Sequence, residues 1–152
     1  MTYFKPILSA DCEQICLLME EFYQIDGYPF NREVSHKLFH EFILDEKLGK
    51  AWLIYHQEVL VGYVILTFVF SFEYQGKIAF LDELYLRASA RGKGIGKETV
   101  RFVQGEAAKL SLKIIYLEVE THNQAAQKLY IANDFSIHPR KIMKYIVKPS
   151  NT

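Results

Sequence analysis

The stretch Leu81-Asp82-Glu83-Leu84-Tyr85-Leu86 leads through the connector Arg87-Ala88-Ser89-Ala90 into Arg91-Gly92-Lys93-Gly94-Ile95-Gly96-Lys97. It reads as a strand, a tight glycine turn and the start of a helix. Glycines alternating with other residues where a helix begins leave backbone N–H groups uncovered, and the positive end of the helix dipole points at whatever sits there. That is a seat for a phosphate-bearing ligand. Spacing decides which. A Walker loop needs four residues between its first glycine and Gly-Lys-Ser/Thr, whereas three separate Gly92 from Gly96 and Glu98 follows Lys97. A dinucleotide turn needs G-x-G-x-x-G after the first strand of its domain, and this G-x-G-x-G comes late in the chain.

Arg91, Gly94 and Gly96 match the R/Q-x-x-G-x-G/A signature, and the segment resembles the GNAT superfamily of N-acetyltransferases. Downstream, Asn123-Gln-Ala-Ala-Gln-Lys-Leu-Tyr130-Ile-Ala-Asn-Asp-Phe135 is similar to that family's second landmark, N-x-x-A-x-x-x-Y-x-x-x-G-F. Two departures stand out. The connector lacks the proline often found there, and Asp134 stands in place of glycine, a position where aspartate tolerates a left-handed backbone better than most residues. The likeness covers roughly residues 50 to 147.

Composition agrees with one packed domain over 1–152. The chain has 152 residues, half of them hydrophobic and 14% aromatic, enough to bury a core. Lys+Arg 18 against Asp+Glu 18 leaves no net charge, which argues against nucleic acid or an anionic membrane as partner. The longest apolar run, Val59 to Phe72, is broken by Gly62 and Thr67 and is shorter than the ~20 residues of a spanning helix. No signal-peptide pattern opens the sequence. Cys12 and Cys16 lie in a helical segment and suggest no disulfide framework, so a cytoplasmic location is expected.

In chain order, Tyr3 to Ile7 suits a strand, and Ser9 is a candidate N-cap for a helix with apolar residues at Ile15, Leu18, Met19, Phe22 and Ile25. Asp26 to Phe30 breaks it. Asn31 can cap a second helix that turns Val34, Leu38, Phe39 and Phe42 inward, with Gly49 closing it. Ala51 to His56, Val59 to Phe72 and Lys77 to Arg87 read as strands. After the glycine turn, Gly96, Val100, Val103, Ala107 and Leu110 mark one helical face. Lys113 to Glu120 alternates as a strand, Asn123 to Asn133 is helical, and Phe135 to His138 with Ile142 to Val147 suggest a closing hairpin broken by Pro139. The order β-α-α-β-β-β-α-β-α-β-β matches the α/β (α+β) GNAT fold. The resemblance implies a mixed, mostly antiparallel sheet that splays between its fourth and fifth strands and admits acetyl-CoA there.

Acetyl transfer to an amine requires a bound thioester, a deprotonated amine, a stabilised oxyanion and a proton donor for the leaving thiolate. The pyrophosphate of CoA is expected on the N–H groups of Gly92, Lys93, Gly94, Ile95, Gly96 and Lys97, with Arg91, Lys93 or Lys97 free to reach phosphates. Resemblance implies that the backbone of Leu84, Tyr85 and Leu86 pairs with the pantetheine arm. It also implies that Asn123, beside Ala126 of the same motif, hydrogen-bonds that arm. Tyr130 is the candidate general acid, since a phenol near ~10 can serve a thiol near ~8.5.

The base must be a carboxylate or a water chain. Candidates are Asp82, Glu83, Glu118 and Glu120; strand alternation sends Asp82 and Glu83 to opposite faces. Diamine acetyltransferases of the family carry a glutamate at the position of Asp82, so Asp82 is preferred and Glu83 stands second. Resemblance places the acceptor among Glu20, Glu21, Tyr23, Asp26, Tyr28 and Phe30, with Glu118 as a further contact. Acid and aromatic residues there suit a small cationic amine. His36 and His40 have metal-like spacing but lack a third ligand, so no metal is expected.

The reading is an acetyl-CoA-dependent N-acetyltransferase working by direct attack. A non-catalytic acyl-CoA sensor and an enzyme acting on a peptide or protein amine stay open, as does a homodimer. Exposed aromatics at Phe68, Phe70 and Phe72 would suit an interface or a core.

Overall fold

A computed structural model describes residues 1–150. The elements are β1 (Thr2–Pro6), α1 (Cys12–Ile25), α2 (Arg32–Leu44), β2 (Gly49–His56), β3 (Val59–Ser71), β4 (Gly76–Leu86), α3 (Ile95–Lys109), β5 (Ile115–Tyr116) and α4 (Gln124–Ala132). They form one sheet in the order β1-β2-β3-β4-β5. The first four strands pair antiparallel, and β4 with β5 parallel.

Helix starts follow their capping chemistry, with one change. Asn31 Oδ1 accepts from the Val34 N–H at 3.0 Å and caps α2 as its sequence suggests. Ser9 does not cap α1; Ser9–Asp11 forms a 3₁₀ turn, and the Asp11 carboxylate accepts from the Leu8 N–H and from Lys5 Nζ. In α2 the expected inward face is narrower than its pattern. Phe39 is buried and Phe42 packs on the core, while Val34 and Leu38 stay exposed.

The sheet separates two apolar layers. On one side Ile15, Leu18, Phe39, Tyr63, Ile65 and Tyr85 pack under α1 and α2; on the other Trp52, Val64, Leu66, Leu81, Ile95 and Val103 pack under α3. Gly62 permits a close approach within the sheet: a Cβ there would lie 2.0 Å from the Tyr85 carbonyl oxygen on β4. Backbone in a central strand cannot yield cheaply, so Gly62→Ala is expected to cost about 3 kcal/mol. A melting temperature lower by roughly 6–12 °C would register it; an unchanged melt would refute the close packing.

Two details of β4 place the site. First, consecutive residues Ile65 and Leu66 of β3 oppose Glu83 and Leu81, leaving Asp82 as an extra, bulged residue. The bulge switches the facing of everything after it. Leu81 packs with α3, and so do Leu84 and Leu86, while Glu83 and Tyr85 turn toward α1. Second, the β4–β5 ladder stops after Ala79↔Ile115 and Phe80↔Tyr116. Beyond Phe80 the ladder ends, in agreement with the splay that the resemblance implies.

The C-terminal end differs from expectation. Residues 133–150 carry no strand, so the hairpin expected at Phe135–His138 and Ile142–Val147 does not join the sheet. A strand exists only by its ladder, and β5, two residues long, offers no extended edge for one. Pro139 also removes one donor, while Arg140 pairs with Glu73 and ties the segment to the β3–β4 turn. Phe70 and Phe72 are exposed, not core, and Phe68 lies beneath the Lys77 ammonium at 4.9 Å. Among the described residues no helix is long and apolar enough to cross a membrane.

Candidate active site

The glycine turn has the conformation its sequence demands. Gly92 and Gly94 adopt φ +74° and +80°, and a Cβ at either would meet nothing within 4 Å, so the backbone conformation and not crowding selects glycine there. Gly94 is the residue before α3, whose first turn begins with Glu98 N–H bonding back to Gly94 O. Among the described residues, the N–H groups of residues 92–97 find no hydrogen-bond partner in the chain. The Arg91 side chain anchors the turn, donating from Nε to Leu86 O at 3.1 Å. Lys93 and Lys97 are exposed beside it. The Ile95 side chain is core, which leaves only its backbone for a ligand.

A cleft of about 560 Å³ lies between β5, α4 and the segment that follows α4, with Phe80, Leu117, Glu118, Gln127 and Tyr130 among its walls. Tyr130 packs against Phe135 with ring centroids 5.4 Å apart, and burial pushes its phenol up to about 12. Asn123 Oδ1 caps α4 by accepting from the Ala126 N–H at 3.1 Å. That oxygen is therefore engaged, leaving the amide nitrogen of Asn123 for a ligand. Asp134 holds φ 71°, so aspartate makes the turn for which the family uses glycine.

A second cavity, about 440 Å³, sits on the α1 side of β4 and is lined by Phe22, Tyr23, Asp26, Tyr28, Pro29 and Glu83. Glu83 is its chemical centre. Tyr23 Oη donates to Glu83 Oε2 and Tyr63 Oη to Oε1, each at 2.6 Å. Burial raises the Glu83 carboxyl above its usual range, with the Asp82 charge adding and the two tyrosine hydrogen bonds opposing. Across the mouth, Tyr28 Oη donates to Glu120 Oε1 at 2.6 Å, and His122 Nε2 stands 3.9 Å from Asp26 Oδ1. These contacts join the α1–α2 loop to the segment that follows β5.

Not all expected acceptor residues gather here. Glu20 is engaged with Arg32 of α2 at 2.9 Å and does not line the pocket. Glu118 lies in the Tyr130 cleft instead, near enough to Asp82 that its charge, after burial, helps raise the Asp82 carboxyl. Asp82 sits exposed at the bulge. Glu21 accepts from Arg87 Nε and Nη2 and from Tyr85 Oη, bracing α1 against the end of β4.

Sequence reasoning missed Tyr63. Its hydroxyl sits within an apolar run and is fully buried, and a buried hydroxyl must have a partner. Cys12 and Cys16 are buried, and burial pushes the Cys16 thiol up to about 11, unsuited to nucleophilic work. Among the described residues no group of three or more His, Cys, Asp or Glu is placed to hold a metal.

The family profile described as "Acetyltransferase (GNAT) family" matches residues 13–135. The chain belongs to the GNAT acetyltransferase family. Among solved structures, an integron cassette protein from the mobile metagenome of Cole Harbour Salt Marsh superposes with TM-score 0.86 at 27% identity, over 97% of this chain and 91% of that one. A "predicted acetyltransferase with acetyl-CoA" from Clostridium acetobutylicum shares the fold at TM-score 0.80 and 13% identity, over 95% and 96% of the two chains. A D-amino-acid N-acetyltransferase of Saccharomyces cerevisiae is 32% identical over 54 residues, 36% of this chain. The match spans about a third (34%) of that relative's length. For a GNAT chain, the unpartnered N–H groups, the glycine turn and the one-sided edge of β4 beyond Phe80 fit CoA as the group to be held.

Proposed function

We propose that this GNAT chain transfers acetyl from acetyl-CoA to a small cationic primary amine, the amine nitrogen attacking the thioester directly. The observation that carries it is Glu83, a carboxylate raised by burial at the base of an aromatic pocket. It sits on the strand whose edge, unpaired with β5 beyond Phe80, and glycine turn suit CoA. Glu83, rather than the sequence-favoured Asp82, is the general base, because Asp82 lies at the bulge and does not line the acceptor pocket. A base near neutrality serves best, and burial moves Glu83 toward it.

The pyrophosphate rests on the N–H groups of residues 92–97, with Arg91, Lys93 and Lys97 near the phosphates and the Asn123 amide nitrogen toward the arm. The edge of β4 at Leu84, Tyr85 and Leu86, unpaired with β5 and engaged only by Arg91 at the Leu86 carbonyl, pairs with the arm, and an N–H there polarises the acetyl carbonyl. Glu83 takes the proton of the bound ammonium; the nitrogen lone pair forms the C–N bond, and the C–S bond breaks. Tyr130, facing the cleft, donates a hydrogen bond to the departing sulfur.

The aromatic rings of Phe22, Tyr23 and Tyr28 with Asp26 and Glu83 favour a cation. The lining has no Lys or Arg to balance an acceptor's carboxylate, so amines without one are preferred over amino acids. The test is thiol release from acetyl-CoA against polyamines, amino acids, aminoglycosides and short peptides, with an amine-free blank. Release with alkylamines above amino acids is expected. Release only with amino acids or peptides refutes the acceptor class, and no release despite acetyl-CoA binding points to a sensor.

A further inference from the structure

We propose that the two tyrosines on Glu83 divide its work: Tyr63 is a positioning residue that fixes one carboxylate oxygen, and Tyr23 is the relay through which the amine's proton reaches the other. This rests on the transferase reading above. Both hydroxyls donate at 2.6 Å, Tyr63 to Oε1 and Tyr23 to Oε2, so the ionised carboxylate is held at both ends. When the carboxylate gains a proton on the side that a tyrosine faces, that tyrosine turns from donor to acceptor of the new O–H.

Burial decides which. Tyr63 is 0% exposed, and Glu83 is its one hydrogen-bond partner among the described residues. If the Tyr63 hydroxyl reversed, its own hydrogen would face no acceptor, and a buried donor left unpaired is unfavourable. Tyr63 therefore stays a donor. Tyr23 lines the acceptor pocket, its ring held edge-on by Phe30 at 5.6 Å and Phe22 at 6.2 Å, so its hydroxyl can turn toward a ligand without losing its place.

The transfer balances as follows. The ammonium N–H bond breaks and its proton passes to Tyr23 Oη; the hydrogen that Tyr23 carried passes to Glu83 Oε2. The amine keeps its lone pair, Tyr23 remains a neutral phenol and Glu83 becomes a neutral acid. The reverse path returns the proton to water in the emptied pocket. The other titratable groups around Glu83 are Asp82 and Tyr85 on β4 and Asp26 and Tyr28 across the pocket. Tyr85 is occupied by Glu21, and Tyr28 by Glu120.

The experiment compares Tyr23→Phe and Tyr63→Phe with the unaltered chain. It measures kcat against pH with the best amine of the panel, and the Glu83 carboxyl by ¹³C NMR titration in the protein without substrates. Retained acetyl-CoA affinity checks folding. Each variant loses a donor to the ionised form, so both should raise the NMR midpoint of Glu83. For Tyr63→Phe most of the lost turnover should return on raising the pH, since the base is only harder to ionise. For Tyr23→Phe turnover should stay down by about 10²-fold at every pH.

Full recovery of Tyr23→Phe at high pH would overturn the relay, and an equal pH-independent loss in both variants would overturn the division. Unmoved midpoints would overturn the control of Glu83 by the tyrosines, a result independent of turnover. An unaltered chain inert toward every amine would instead bring down the transferase reading and the relay with it, while the NMR midpoints still decide the hydrogen-bond assignment.

Discussion

Tyr130→Phe is expected to lower turnover by about 10²–10⁴-fold while acetyl-CoA affinity changes little. The ring is packed into the layer under α3 and touches Phe135, so loss of one oxygen leaves the packing in place. What is lost is a hydrogen bond to the leaving sulfur. Burial holds this phenol at about 12, against ~8.5 for a thiol, so full proton transfer to the thiolate would run uphill by about 5 kcal/mol. On the proposed mechanism Tyr130 is then a fixed donor that stabilises charge on sulfur, protonated throughout the working range. The alkaline sides of the pH–rate profiles should accordingly run parallel for the unaltered chain and the variant. A variant with unaffected kcat would remove Tyr130 from the mechanism, and an alkaline limb near pH 9 that vanishes with the hydroxyl would show that it titrates.

Glu83→Gln is expected to cost a similar 10²–10⁴-fold in kcat, yet to leave the fold as stable or more stable at neutral pH. The sign follows from the direction of the shift. Burial raises the folded-state carboxyl above its unfolded value, so the folded protein holds the proton more tightly and loses stability as pH rises through the raised value. Glutamine carries no charge to desolvate. It can still accept from Tyr63 at one end and donate to Tyr23 at the other. Melting curves at pH 7 and pH 4 check it: an equal or higher midpoint for the variant at pH 7 should shrink toward no difference at pH 4. A lower midpoint at pH 7 would show that the ionised carboxylate stabilises the fold, and unchanged turnover would exclude Glu83 as base.

The sequence carried much of this site in local pattern. Gly92 and Gly94 were legible as a turn because only glycine takes a positive φ without strain, and that constraint is written in the residue itself. Asn31 as a cap and Tyr130 in its spaced motif belong to the same kind of signal, where residues a few positions apart decide the geometry. The choice between Asp82 and Glu83 was not legible. Both are acidic neighbours on one strand, and alternation alone says only that they point apart. Which one faces α1 depends on the bulge at Asp82, a feature of how β4 pairs with β3. Glu20 shows the converse: its place on the first helix suggested the pocket, but Arg32 on α2 draws it elsewhere.

By itself, then, the chain's sequence determined the family, the order of elements up to α4 and the glycine turn before α3, because each is encoded by short-range spacing and backbone stereochemistry. Tertiary structure alone decided the rest. It brought Tyr23 of α1 and Tyr63 of β3 onto the two oxygens of Glu83, residues separated in sequence by 60 and 20 positions. It also left residues 133–150 outside the sheet despite their strand-like pattern. Contacts of that kind are settled by register, burial and the need of each buried polar group for a partner, none of which a linear pattern contains.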